Sequence, residues 1–153
     1  MGPLLEVASA IDDSDAKLEL VIVAGRNESL ERTLKAKAWR KPVRVYGFTS
    51  QMEVFMRASD ILISKAGPAT ITEAAALGVP MILYGAIQHQ ESPNAEYVQA
   101  HDAGIYAPSP QGVVAAVERL TDPAELRRFE AGVKKLAVPD AIWRIADEIW
   151  SVA

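Results

Sequence analysis

Apolar residues along this chain fall into two alternating patterns. Short runs rich in Val, Ile and Leu occur at 18–24, 43–46, 60–64, 80–84 and, more weakly, 104–107. Their near-continuous apolarity is that of strands buried on both faces. Between them, segments 29–38, 52–58, 70–77 and 94–101 place Leu, Phe, Ile, Ala and Val three and four residues apart, the spacing of a helix that covers a sheet. The chain then turns helical, over 111–120, 123–136 and 140–152, with Asp122 a predicted N-cap and Pro123 at the first helical position. Strand and helix in alternation predict an α/β fold, a parallel sheet wrapped by helices. Gly25, Gly47, Gly67, Gly78, Gly85 and Gly104 fall at the junctions, where a turn or a close backbone approach is needed.

Composition narrows the options. At 153 residues, half of them apolar, the chain has enough material for one domain with a core. Sixteen basic against twenty acidic residues give a net charge of −4, with no basic block to hold a nucleic-acid backbone. Nucleic acid is therefore excluded as an expected partner. The absence of cysteine removes disulfides, thiolate metal sites and a cysteine nucleophile. No apolar run has the length of a membrane span, and the first residues lack the basic start of a signal peptide. The expected location is cytoplasmic, peripheral at a membrane in the complete protein.

In an open parallel sheet, ligands bind beyond the carboxyl ends of the strands. Three such loops carry candidate chemistry. In Ser64-Lys65-Ala66-Gly67-Pro68-Ala69-Thr70-Ile71-Thr72-Glu73, a strand gives way to a small-residue turn and a helix. Free N–H groups and the positive helix end would face an anion there, Gly67 and Ala69 would let it approach, and Lys65 and the Thr70 hydroxyl could add a charge and a donor. The same spacing fits a capping box, with Thr70 as cap and Glu73 reaching back.

The loop Gln88-His89-Gln90-Glu91-Ser92-Pro93-Asn94 is rich in planar amides and acceptors, the groups that pair with sugar hydroxyls; a hydrated connection with Asn94 as N-cap is the alternative. In Tyr46-Gly47-Phe48-Thr49, Phe48 could cover a flat base while the Thr49 backbone reads its edge, or Phe48 could pack in the core. His89 and His101 are too isolated for a metal site, and His101 sits near a helix end where the dipole accounts for it. Trp143 and Trp150, seven apart, share a helix face and are expected to pack against the core or another domain rather than a membrane.

Taken together, Val45-Tyr46-Gly47-Phe48, the run from Asp60 to Pro68, Glu73-Ala74 and Gln90-Glu91 followed by Asn94 resemble glycosyltransferase family twenty-eight. Within it, the chain is most similar to monogalactosyldiacylglycerol synthases and processive diacylglycerol glucosyltransferases, up to about Tyr106. The resemblance implies a Rossmann-like parallel-sheet domain, the C-terminal, sugar-nucleotide half of a GT-B glycosyltransferase, across residues 1–153. It implies that Phe48 and Thr49 flank uracil, Gly67, Pro68, Ala69 and Thr70 form the diphosphate turn, Glu73 holds the ribose hydroxyls, and Gln90, Glu91 and Asn94 grip the sugar. Lys65 and Thr70 would stabilise the leaving group. The implied activity is transfer of a hexose from a UDP-hexose to a lipid acceptor, diacylglycerol, with inversion. No metal or cofactor is required, since the UDP-sugar is a substrate.

Two departures qualify the resemblance. His89 stands where the lipid glycosyltransferases commonly carry glycine, and Ser92-Pro93 replaces an acidic and glycine pair. Met1-Gly2-Pro3-Leu4 resembles only the tail of the family's glycine-rich loop, so the resemblance leads us to expect that the first strand, placed in the sheet centre between the strands at 18–24 and 60–64, lies outside these residues, together with the acceptor-binding N-terminal domain and its catalytic base. A shortened chain, a misplaced start codon or a split gene would each produce this pattern. The chain alone is expected to bind nucleotide weakly without turnover. A split-subunit or non-catalytic UDP-sugar-binding module is the second reading, and part of a UDP-sugar epimerase the third.

Overall fold

The computed structural model describes residues 4–152. In chain order the elements are α1 (Leu4–Asp13), β1 (Leu20–Val23), α2 (Glu28–Ala36), β2 (Val43–Tyr46), α3 (Met52–Arg57), β3 (Leu62–Lys65) and α4 (Pro68–Leu77). They continue with β4 (Met81–Gly85), α5 (Ser92–Ala100), β5 (Gly104–Tyr106), α6 (Pro110–Leu120), α7 (Pro123–Leu136) and α8 (Ala141–Ser151). The expected strands and crossover helices are all present, with bounds shifted by a residue or two. The resemblance at Met1-Gly2-Pro3 lies outside the described residues.

Every ladder is parallel, but the sheet is in two pieces. β1 pairs with β2 from Leu20↔Val43 to Val23↔Tyr46. Separately, β3 pairs with β4 from Leu62↔Met81, and β4 with β5 from Met81↔Gly104. β1 and β3 share no ladder.

Helices cover both faces. On one, α4, α5 and α7 bury Ile71, Ala75, Val98 and Val133 over Met81 and Leu83. On the other, α1 and α6 bury Val7, Ile11, Val117 and Leu120 with Ile82. A third cluster joins Ala8 of α1, Leu34 of α2 and Ile22 of β1. Because α1 contributes to both the second and third clusters, it bridges the two sheet pieces.

The ends of these elements are chemically specified. Asn27, Ser109 and Asp122 cap α2, α6 and α7, Asp122 accepting from the N–H groups of Ala124 and Glu125 as its sequence position predicts. The most buried charged residue is Asp12, 1% exposed near the end of α1. Its Oδ1 accepts from the N–H groups of Arg40 and Lys41, both at 2.9 Å, fixing the approach to β2. By contrast, α8 has no buried residue; Trp143 and Trp150 are 73% and 86% exposed, so core packing is not their role in this chain.

Candidate nucleotide-sugar site

The turn after β3 runs through Ala66 and Gly67 into α4. Gly67 is the N-cap, in extended backbone, and no side chain caps the helix. This corrects the capping-box alternative. Proline lacks an N–H and has a pre-set φ, so Pro68 opens the helix two residues earlier than the apolar spacing alone suggests and leaves Thr70 inside its first turn. First-turn amides have no intrahelical acceptor. Those of Ala69 and Thr70 therefore point out of the helix end, beside the carboxyl terminus of β3. Glu73 follows Thr70 by three residues, on the same side of α4, and both border the cavity between the sheet pieces. Among the described residues, Lys65 has no acidic side chain within ion-pair distance.

The loop after β4 closes on itself and on that turn. The Ile87 N–H donates to Glu91 Oε2 at 2.8 Å, and the Glu91 N–H returns to the Ile87 carbonyl at 2.7 Å. Glu91 also faces the turn: a methyl group placed on Gly67 would lie 3.9 Å from its Oε1. Asn94 is not an N-cap, because α5 starts at Ser92 with Pro93 in its first turn. Its Nδ2 instead donates to the Ala66 carbonyl at 3.0 Å, tying α5 to the β3 turn. Gln88, His89 and Gln90 project into solvent at the tip. His89 has φ of 66°, the left-handed region that favours glycine. A glycine at this position would adopt that conformation without the strain a side chain brings.

At the third loop, Phe48 is 65% exposed, so the core-packing alternative is not realised. Tyr46, itself 37% exposed, sets its ring 4.8 Å from that of Phe55 on α3. The Thr49 hydroxyl accepts from the Gln51 N–H at 3.0 Å, holding the turn. Arg26, from the turn after β1, lays its guanidinium 4.8 Å from the centre of the Phe48 ring. Arg26 does not stand out in the sequence. Its only signal was a strand end followed by Gly-Arg-Asn, and the partner that gives it meaning is twenty-two positions away.

The structure thus ties Asn94 to the β3 turn by a hydrogen bond, sets Glu91 facing Gly67, and places Phe48 and Thr49 on another strand-end loop with Arg26. His101 stands apart, its Nδ1 2.8 Å from the Tyr97 carbonyl and its ring against Tyr97. Among the described residues there is no group of three or more metal-ligating side chains, and no helix is long and apolar enough to cross a membrane.

The chain resembles known proteins in sequence and in fold. Probable monogalactosyldiacylglycerol synthase 2 from Oryza sativa subsp. indica is 39% identical over 158 aligned positions, covering 97% of this chain and 34% of that protein. Monogalactosyldiacylglycerol synthase 3 from Arabidopsis thaliana is 37% identical over the same shares. The chain therefore spans about a third of the length of these relatives. In fold it matches Acinetobacter baumannii MurG with a TM-score of 0.82 at 20% identity, across 99% of this chain and 47% of that one. It matches the spinosyn rhamnosyltransferase SpnG complexed with thymidine diphosphate with a TM-score of 0.72 at 20% identity, across 95% and 40%. The architecture is the Rossmann-type unit of a GT-B-like fold. The glycosyltransferase family 28 C-terminal domain model matches residues 4–143, and the chain belongs to that family.

Proposed function

We propose that this chain is the donor-binding domain of a glycosyltransferase that moves a hexose from a UDP-sugar to a lipid hydroxyl, diacylglycerol being the acceptor, with inversion at the anomeric carbon. The observation that carries this reading is the uncapped start of α4 at Gly67, framed by Glu91 and by the Asn94–Ala66 hydrogen bond. The similarity to monogalactosyldiacylglycerol synthases supports the choice of acceptor and donor.

Each group has a chemical role in this scheme. The Ala69 and Thr70 amides and the Thr70 hydroxyl receive the diphosphate, and Lys65 supplies the positive charge that a net acidic chain otherwise lacks there. Charge grows on the diphosphate as the sugar–oxygen bond breaks. Donors already aimed at that position stabilise the transition state more than the ground state, without reorganising. Glu73 accepts from the ribose hydroxyls, Phe48 and Thr49 contact the base, and Gln90, Glu91 and Asn94 hold the sugar. Glu91 is restrained by the Ile87 N–H, so one carboxylate oxygen is already committed and the other remains for a hydroxyl. The base that deprotonates the acceptor, and the acceptor pocket, belong to an N-terminal domain. Turnover by this chain alone is not expected.

Calorimetric titration with UDP tests the reading, with Glu73→Ala as the control. Hydrogen bonds to a charged group contribute about 1.5–3 kcal/mol, so loss of the ribose contact should weaken binding by one to two orders of magnitude. Equal affinity in the folded variant would remove Glu73 from the site. A split-subunit module that works only when a partner brings the acceptor site is the second reading, and addition of a separately expressed N-terminal domain distinguishes it by restoring transfer. Family membership supports transfer over epimerisation.

A further inference from the structure

The turns after β1 and β2 are built as one unit. The Ala24 N–H donates to the Tyr46 carbonyl at 2.8 Å, so the two chains leave the sheet side by side. Gly25, with φ of 62°, bends the first of them. Asn27 then caps α2, its side chain accepting from the Leu30 N–H at 3.1 Å. The backbone of Arg26 is therefore held on both sides. On the β2 side, the Glu31 carboxylate of α2 occupies the space that a side chain on Gly47 would need, and Lys35 Nζ holds that carboxylate at 2.6 Å. Beyond Phe48, the Thr49 hydroxyl accepts from the Gln51 N–H at 3.0 Å.

Between these anchored points, the Phe48 ring is the part left to be ordered. It is exposed, and among the described residues it stacks on no other ring. A solvent-facing phenylalanine has several staggered orientations open to it. The Arg26 guanidinium, 4.8 Å from the ring centre, is the group that meets it. Among the described residues, Arg26 has no acidic side chain within ion-pair distance to draw it elsewhere. A guanidinium is planar, always charged and weakly hydrated, so it settles against an aromatic ring more readily than an ammonium does.

We propose that Arg26 is a positioning residue for the nucleotide base: it holds the Phe48 ring in one orientation, so that the ring is ordered before a nucleotide arrives. This inference rests on the reading of Phe48 as the residue that covers the base. Ordering a side chain during association weakens binding, and a ring already ordered avoids that loss. Arg26 acts through Phe48 and not on the diphosphate. In the same reading, the diphosphate is met at the turn after β3, on the other sheet piece, whereas Arg26 belongs to the β1–β2 ladder.

The test is calorimetric titration of the full chain with UDP and with UMP, comparing Arg26→Ala, Arg26→Lys, Phe48→Ala and the double variant Arg26→Ala/Phe48→Ala. Arg26→Ala should weaken UDP and UMP by the same factor, about tenfold, the upper end of what ordering one side chain costs. Arg26→Lys should recover part of that loss, because it keeps the cation without the planar group. The double variant should bind as Phe48→Ala does, since the two changes remove one shared effect. A greater loss for UDP than for UMP would place Arg26 on the diphosphate and overturn the proposal. So would additive losses in the double variant, or unchanged affinity in either single alanine variant. Absence of UDP binding by the unsubstituted chain is a different failure, which would overturn the donor-site reading and this inference with it.

Discussion

Asp12 provides a quantitative test of how the two halves of this molecule are held together. Its carboxylate, 1% exposed, accepts from the Arg40 N–H at 2.9 Å through Oδ1 and 3.2 Å through Oδ2, and from the Lys41 N–H at 2.9 Å. Lys37 Nζ lies 3.7 Å from Oδ2. Asp12→Ala would leave two backbone donors and a partly buried ammonium without an acceptor. Each unsatisfied buried group costs about 1–3 kcal/mol, and breaking a buried charged contact about 3–5 kcal/mol. We expect a loss of about 4 kcal/mol, a large share of the roughly 5–15 kcal/mol that stabilises a domain. Asp12→Asn should be milder, about 1–2 kcal/mol. Its oxygen can take over the Oδ1 bonds, while its NH₂ group would face Lys37 and the Arg40 N–H.

The assay is urea unfolding followed by tryptophan fluorescence. Trp39, whose Nε1 donates to the Leu34 carbonyl, reports from the same corner. The pH dependence gives a second check. Burial alone would raise the Asp12 carboxyl, but the N–H groups of Lys41 and Arg40, helped by the charges of Lys37 and Lys41, hold it below its ordinary value. The unfolded chain therefore takes up the proton first as pH falls. The contribution of Asp12 is complete above the ordinary carboxylate range and is lost as pH drops through the depressed folded value. The gap between wild type and Asp12→Asn should accordingly shrink in acid. An Asp12→Ala cost below about 0.5 kcal/mol, the range of an ordinary surface substitution, or a gap that widens in acid, would refute the reasoning.

Other outcomes follow from the loops and the packing. Phe48→Ala and Arg26→Ala should each weaken UDP binding by about tenfold with little change in stability, since an exposed cation–ring pair contributes only about 0.5–1 kcal/mol to the fold; unchanged affinity in calorimetry would remove both from the base site. His89→Gly relieves the left-handed conformation at the loop tip and should raise stability by a few tenths to about 1 kcal/mol, measured by urea unfolding. Gly132→Ala would place its methyl group on the Asp102 carbonyl, where backbone rather than a flexible side chain must yield. Thermal melting should show a loss of at least about 1–3 kcal/mol, with α7 displaced from the turn before β5.

Much of the molecule was legible in the sequence because its signals are local. Strand burial, helical spacing and the Asp122-Pro123 start depend on neighbours within a turn or two, and they specified the βα alternation almost to the residue. The three candidate loops were found for the same reason: in a parallel sheet, chemistry collects at strand ends, which the apolar runs mark. The strand–turn–helix order around Gly67 also carried the family resemblance.

Contacts between distant segments were not legible. Whether Thr70 or Gly67 starts α4 depended on Pro68, a local cue outweighed by the pull of a capping pattern. The turn of Asn94 toward Ala66, the laying of Arg26 over Phe48, and the burial of Asp12 against Arg40 and Lys41 each join residues more than twenty positions apart. The periodicity of α8 announced a buried face, yet that face is open, since a pattern records that a side is apolar and not what covers it. The gap between β1 and β3 lies between these cases. Strand and helix alternation did not tell whether β1 and β3 would share a ladder; only the tertiary structure showed two sheet pieces with an apolar cavity between them and α1 packed against both.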